Sequence, residues 1–117
     1  MPGRPPLVSS LEHVLIPIEL RHLRDEIRFW IANSTYSTDE IAVRFHHRLV
    51  FIHPFPNGNG RHARLAADLL IIQLGGRRFT WGRTSLIATG ETRKKYVAAL
   101  RQADNHDVGP ILAFARS

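Results

Sequence analysis

The sequence contains no cysteine, and it also lacks long apolar runs. Without cysteine there is no disulfide scaffold, no thiol nucleophile and no zinc site with thiolate ligands. No uninterrupted apolar run approaches the roughly 20 residues that span a bilayer. The segment Met1–Pro6 is not followed by the apolar core and small-residue cleavage site of a signal peptide. We therefore expect one soluble, cytoplasmic domain in these 117 residues, with no membrane partner.

Acidic residues are missing from the centre of the chain. No aspartate or glutamate lies between Glu40 and Asp68, or between Asp68 and Glu91. The formal net charge is +6 and the sequence pI is about 11.0. This balance favours a polyanionic partner, either a phosphorylated ligand or a nucleic acid, although solvated arginines that keep a small domain soluble would give the same total. The arginines of the central region are Arg44, Arg48, Arg61, Arg64, Arg77, Arg78 and Arg83.

The first fifteen residues are predicted to differ from the rest. Prolines, glycine and serines in residues 1–10 indicate an irregular segment. Residues 11–16 are short and apolar, as in an extended piece, and Pro17 is predicted to end it. The expected organisation is an irregular arm, 1–15, followed by one core domain, 16–117.

Apolar residues recur every three or four positions beyond this arm, which predicts an all-α fold. Ser37 and Glu40 form a capping box that begins a central helix, and Pro54 ends that helix. The next helix begins near Asn59. Its buried face is expected to consist of Leu65, Leu69 and Ile72, together with Ala66 and Leu70. Further helices are predicted over 18–33, from about 89 to 105, and from about 107 onward.

The polar stretch from His53 to Arg64 lies between the two central helices. Gly58 and Gly60 free the backbone to direct successive amides at an anion, directly before the amino end of a helix. Asn59 between them can donate a side-chain N–H. Arg61 and Arg64 lie three residues apart, so they share a face of the first helical turn and can clamp further phosphates. A di- or triphosphate fits this pattern better than a monophosphate.

His53 is the candidate base of this site, because a neutral imidazole can take a proton from an attacking hydroxyl while the loop holds the phosphoryl group. Phe55 is expected to turn inward and anchor the loop. Asn57 can offer an oxygen to Mg²⁺, although asparagine is a weaker ligand than aspartate. Simpler interpretations stay open: Asn-Gly-Asn-Gly is commonly a turn, a histidine at a helix end is commonly structural, and Arg64 can pair with Asp68.

These residues match every specified position of H-x-F-x-[DN]-G-N-G-R-x-x-R, the signature of the Fic (filamentation induced by cAMP) family, and the chain resembles that family from about residue 16 to its end. The flanking segments 44–50 and 64–70 resemble a subgroup called mobile mystery protein B. The resemblance implies a Fic-type helical bundle with the signature loop between two central helices. The matched residues are His53, Phe55, Asn57, Gly58, Asn59, Gly60, Arg61 and Arg64.

The resemblance also implies an activity, the transfer of AMP from ATP to a Ser, Thr or Tyr hydroxyl of a target protein, with Mg²⁺. By similarity, His53 is the general base and Asn57 is the metal ligand. Gly60 implies adenylyl transfer, because the related Doc toxins carry lysine there and transfer a phosphate instead. The implied nucleotide-binding residues are Asn57, Gly58, Asn59 and Gly60, which hold the metal and the α- and β-phosphates, and Arg61 and Arg64, which bind the β- and γ-phosphates.

Two features depart from the family pattern. No Glu follows a Ser or Thr by four residues, so the family's inhibitory motif [ST]-x-x-x-E-[GN] is either absent or supplied by an antitoxin-like partner chain. Family members also have further helices and a β-hairpin flap before the core. Residues 11–16 offer one strand of such a flap at best, so the core is expected to be truncated on its amino-terminal side.

Three other functions are compatible with the sequence. The first is a truncated, inactive relic that still binds nucleotide. The second is a basic nucleic-acid-binding helical domain, although no basic helix carries the spaced polar residues of a recognition helix. The weakest is a metal hydrolase, for which the candidate ligands are His46, His47, His53 and His62.

Overall fold

The computed structural model describes residues 6–53, 57–84 and 87–117, with residues 6–14 described as backbone only. This part of the chain consists of helices without strands, which confirms the predicted all-α class. None of its helices combines the length and the hydrophobicity needed to cross a membrane. The helices are α1 Pro6–Asn33, α2 Thr38–Ile52, α3 Asn59–Gln73, α4 Thr89–Asp104 and α5 Gly109–Ala115.

Helix α1 corrects the prediction for the amino-terminal segment. It begins at Pro6 and passes through Pro17, so residues 6–15 are neither irregular nor extended, and the helix crosses residue 16 without a break. Proline fits the first turn of a helix, where its missing N–H has no helical partner in any case. Pro17 costs one internal hydrogen bond, and it lies on the exposed side of α1.

Helix α2 is the centre of the fold, since it packs against α1, α3 and α5. Its residues Ile41, Ala42 and Val43 are buried, whereas Phe45 and Leu49 on the predicted apolar line are half-buried. Because α2 contacts three other helices, its core surface is wider than a single stripe. The carboxyl end of α2 is thereby fixed relative to α3, which follows the polar loop.

The buried face of α3 differs from the prediction. Leu65 and Leu69 are 53% and 57% exposed, and Ile72 is 49% exposed. The face that packs on α2 carries small residues instead, with Ala63 and Ala67 at 1% and 0% exposure. Alanine lets two helix backbones approach closely, and helical periodicity cannot decide which face turns inward when both faces are apolar.

The start of α2 confirms half of the predicted capping box. The Ser37 hydroxyl accepts a hydrogen bond from the Glu40 amide at 3.2 Å. The Glu40 carboxylate does not complete the box, because it accepts from Arg44 Nε at 2.8 Å one turn further on. The cap is therefore a single side-chain bond reinforced by an ion pair within the helix.

The carboxyl end of the chain is tied to the start of α2. Arg116, directly after α5, donates to both Asp39 carboxylate oxygens at 2.8 and 2.6 Å, and it also donates to the carbonyls of Arg77 and Arg78. The hydrogen bond from Arg116, opposed by partial burial and aided by its charge, holds the pKa of Asp39 below its ordinary value. One guanidinium thus joins α5, α2 and the loop between α3 and α4.

Candidate active site

His53 caps the carboxyl end of α2 in a left-handed conformation, with φ 55° and ψ 58°. Its amide donates to the Leu49 carbonyl at 3.2 Å, which is the usual closing bond of such a cap. Ring atom Nδ1 lies 2.7 Å from the Val50 carbonyl oxygen. Because a carbonyl can only accept, Nδ1 carries a hydrogen and the neutral ring has its lone pair on Nε2. The backbone of α2 thus selects the tautomer that a general base requires.

The amino end of α3 begins with Gly58, whose φ of 73° is left-handed, as the predicted anion-binding turn requires. The helix's own hydrogen bonding starts with the His62 amide, which donates to the Gly58 carbonyl at 3.0 Å. The amides of Gly60 and Arg61 therefore lie in the first turn, outside the helical bonding pattern. Gly60 itself is helical, so its small size matters there rather than its backbone freedom.

Asn57 and Asn59 flank Gly58 in different environments. Asn57 is exposed, whereas Asn59 is the first residue of α3 and only 7% exposed. The predicted loop anchor, Phe55, lies outside the described residues. Exposure leaves the Asn57 amide oxygen accessible to an ion carried by a ligand.

Arg61 and Arg64 line the same cavity, of about 460 Å³, as expected from their spacing. Arg61 is exposed and Arg64 is half-buried. The described lining residues include several arginines, and Asp68 is the only acidic residue among them. The cavity is therefore electropositive and suited to phosphate groups. Its lining consists of Arg61, Arg64, Leu65, Asp68, Arg78, Trp81, Arg83, Thr89, Thr92, Arg93, Tyr96 and Phe114.

Asp68 is not the partner of Arg64 that the simpler interpretation of the sequence suggested. Its carboxylate, 4% exposed, accepts from the Phe79 amide at 3.2 Å and from Trp81 Nε1 at 3.1 Å. Its other oxygen lies 3.5 Å from Arg78. Asp68 thus fixes the loop between α3 and α4, and Arg64 remains directed toward Tyr96, with its guanidinium carbon 5.2 Å from the ring centroid.

His46 and Tyr96 are part of the site that sequence reasoning did not connect. His46 is completely buried, and its Nε2 lies 2.8 Å from the Tyr96 hydroxyl. Nothing in the sequence joins these two residues, which lie fifty positions apart. Their bond depends on how α2 and α4 meet.

A histidine metal site is not supported. Among the described residues no group of three His, Asp or Glu side chains is arranged to hold an ion. His46 is bonded to Tyr96, and His47 Nε2 lies 2.7 Å from an Asp104 carboxylate oxygen. Two of the four candidate ligands of the metal hydrolase interpretation are thus committed to other partners.

Comparison with known proteins agrees with this architecture. The sequence model of the Fic/DOC family matches residues 9–71. The chain is 34% identical over 97 residues to protein adenylyltransferase fic-1 of Caenorhabditis briggsae, and 32% identical over 102 residues to protein adenylyltransferase Fic of Drosophila willistoni. These alignments cover 81% and 84% of this chain. They cover only 18% and 19% of the relatives, so the chain spans less than a fifth of the length of either.

A solved structure gives the same result. Fic-1 (residues 134–508) from Caenorhabditis elegans superposes with a TM-score of 0.61 at 30% identity, covering 86% of this chain and 29% of that chain. The family match extends over more than half of the chain and includes α2, the signature loop and most of α3. The chain therefore belongs to the Fic/DOC family.

Proposed function

We propose that this domain transfers AMP from ATP to a hydroxyl group of a target protein. The observation that carries the proposal is the pairing of His53, held with its Nε2 lone pair available, with a left-handed Gly58 and a pair of arginines at the start of α3. The relatives named protein adenylyltransferase support the same reaction. The target oxygen attacks the α-phosphorus, the bond from that phosphorus to the bridging oxygen breaks, and pyrophosphate leaves. His53 Nε2 takes the hydroxyl proton.

The phosphate groups are assigned to the first turn of α3. The backbone from Gly58 to Gly60 holds the α- and β-phosphates, and Asn59 donates from its side chain. Arg61 and Arg64 bind the β- and γ-phosphates from the shared cavity. Gly60 suits this role because a side chain there would begin 3.3 Å from Arg64 Nη1. A side chain at that position would require the Arg64 guanidinium to shift by a few tenths of an ångström.

Magnesium is proposed to arrive with the triphosphate. Mg²⁺ usually keeps several waters and binds through substrate phosphates and one or two protein oxygens. The exposed amide oxygen of Asn57 fits that limited requirement. The ion, when bound, neutralises charge that builds on the leaving pyrophosphate. Because asparagine is a weaker ligand than aspartate, we expect this domain to need a higher Mg²⁺ concentration for activity than an Asn57→Asp variant.

Several finer features stay proposals of the same function. The modified residue is proposed to be a Ser, Thr or Tyr, and the location is the cytoplasm. An antitoxin-like partner is proposed to supply the inhibitory helix. The likeness of the flanking segments to the mobile mystery protein B subgroup motivates the finer family assignment.

Label transfer from ATP tests the reaction. With Mg²⁺ and a cell lysate as target source, addition of the chain should raise protein labelling from α-labelled ATP above the lysate's own background, whereas it should add no label from γ-labelled ATP to the background that the lysate kinases give. His53→Ala should lower the labelling at least about 100-fold, because general-base catalysis contributes about that much. His22→Ala, which removes an exposed histidine of α1, is the matched control and should label like the native chain.

Two outcomes would contradict the proposal. Equal labelling by His53→Ala would remove His53 from the chemistry, and a rise in γ-phosphate label that depends on the added chain would replace adenylyl transfer with phosphoryl transfer. ATP binding without any transfer would instead favour the inactive relic.

A further inference from the structure

A partly buried hydrogen bond between α2 and α4 joins His46 to Tyr96, which lines the cavity. His46 of α2 has no exposed surface, and Tyr96 of α4 is half-buried. Trp81 packs on the other side of the imidazole, with the ring centroids 4.6 Å apart. The proposed adenylyl-transfer mechanism uses none of these side chains. A buried polar pair next to a ligand cavity needs an explanation, because such pairs are costly unless they are well connected.

The direction of this bond follows from the surroundings of His46. Burial lowers the pKa of His46 to about 4, with the charges of Arg64 and His47 acting in the same direction, so the imidazole is neutral near pH 7. Its Nδ1 has no hydrogen-bond partner of normal geometry, but the Ala63 carbonyl lies close enough to oppose that pKa shift. The tautomer with its hydrogen on Nδ1 leaves Nε2 to accept from the Tyr96 hydroxyl.

The lone pairs of the Tyr96 oxygen are then directed away from His46, and Arg64 lies nearby. Burial raises the pKa of the Tyr96 hydroxyl, while the charge and N–H groups of Arg64 oppose that rise. The Arg64 guanidinium also lies over the tyrosine ring, 5.2 Å from its centroid. A Cβ atom placed on Gly60 would lie 3.3 Å from Arg64 Nη1 and 3.5 Å from Tyr96 Oη. Both groups therefore meet at the first turn of α3.

We propose that Tyr96 is a positioning residue for Arg64. Its hydroxyl, oriented by His46, holds the guanidinium against the first turn of α3, in the place where the terminal phosphates of ATP bind. This inference rests on the proposed function, which assigns Arg64 to those phosphates. It predicts that the hydroxyl matters for the β- and γ-phosphates and not for the AMP part of the nucleotide.

Calorimetry with ATP and AMP on the full chain tests this selectivity. Tyr96→Phe should weaken ATP binding about 5- to 10-fold, as for the loss of one hydrogen bond of ordinary strength, and leave AMP binding unchanged. Tyr36→Phe is the matched control, because Tyr36 also lies against an arginine, with Arg44 4.0 Å from its ring centroid, but lies at the start of α2. It should leave the affinity for both nucleotides unchanged.

Two variants of His46 separate positioning from folding. His46→Gln keeps an acceptor for the tyrosine hydroxyl and should retain ATP affinity. His46→Leu removes the acceptor and should reproduce the selective loss of Tyr96→Phe. The exchange of the Arg64 Nε hydrogen with solvent can be followed by NMR in the absence of nucleotide. This exchange should be slow enough to give a separate resonance in the native chain, and fast enough to merge that resonance with the solvent signal in Tyr96→Phe.

The outcomes distinguish the inference from the function. Equal ATP affinity in Tyr96→Phe and the native chain would overturn the inference alone, as would equal losses for ATP and AMP. Failure of the native chain to bind ATP would overturn the proposed function, and the inference with it.

Discussion

Acid should destabilise this fold through His46. The first cause is burial, which lowers the pKa of His46 from 6.5 to about 4. In the unfolded chain the imidazole takes a proton below about pH 6.5, whereas in the folded chain it stays neutral until about pH 4. The contribution to stability is therefore complete above pH 6.5 and is lost as the pH falls from 6.5 to about 4.

The magnitude follows from the width of this window. One pH unit of difference in proton affinity corresponds to about 1.4 kcal/mol. Between pH 6.5 and about pH 4, the free energy of unfolding should fall by about 3 kcal/mol in total, and about 2 kcal/mol of this loss is reached by pH 4.5. Since a small domain has a free energy of unfolding of about 5–15 kcal/mol, this single group would remove a measurable share.

Urea unfolding at pH 7 and pH 4.5 measures the effect, with tryptophan fluorescence as the signal. The native chain should lose about 2 kcal/mol more free energy of unfolding than His46→Gln between these two pH values. His22→Gln, which removes an exposed histidine, should follow the native profile. If His46→Gln loses as much stability as the native chain, the buried neutral histidine is not the cause of acid destabilisation and the argument fails.

Two further predictions concern the contacts that hold the loop and the carboxyl end. Asp68→Ala leaves the Phe79 amide and the Trp81 indole N–H without their acceptor and should cost about 2–4 kcal/mol by urea unfolding. Asp68→Asn keeps an oxygen acceptor and should cost less, so equal losses would count against those two bonds. Asp39→Asn weakens the pair with Arg116 and should cost about 1 kcal/mol near neutral pH. Because the folded pKa of Asp39 is lowered, the native chain should lose this contribution as the pH falls through that pKa, while Asp39→Asn should show no such step in thermal unfolding.

The site could be located from the sequence because its signals are local. Pro54 ends α2 at Ile52, Gly58 provides the left-handed turn before α3, and Ser37 caps α2. Each of these effects acts within a few residues of its cause, through a fixed φ, a missing side chain or a short hydrogen bond. The chemical roles of His53 and of the residues that follow it stay predictions, supported by geometry and by family membership.

Local rules failed where packing competed with them. Pro17 is a strong helix breaker in isolation, yet α1 continues through it. The apolar row of Leu65 and Leu69 suggested an inward face, but α3 turns its alanines to α2. For α3 the decisive energy is the contact with α2, which the sequence of one helix does not contain. Pro17 lies on the exposed side of α1.

The sequence by itself determined the all-α class, the family and the position of the loop from His53 to Arg64. Only the tertiary structure decided what surrounds that loop: the partners of Asp68 and the bond between His46 and Tyr96. The physical reason is the separation along the chain between the residues that interact. Turns and caps form between neighbours along the chain, whereas a buried hydrogen bond forms between residues that meet only after the helices have packed.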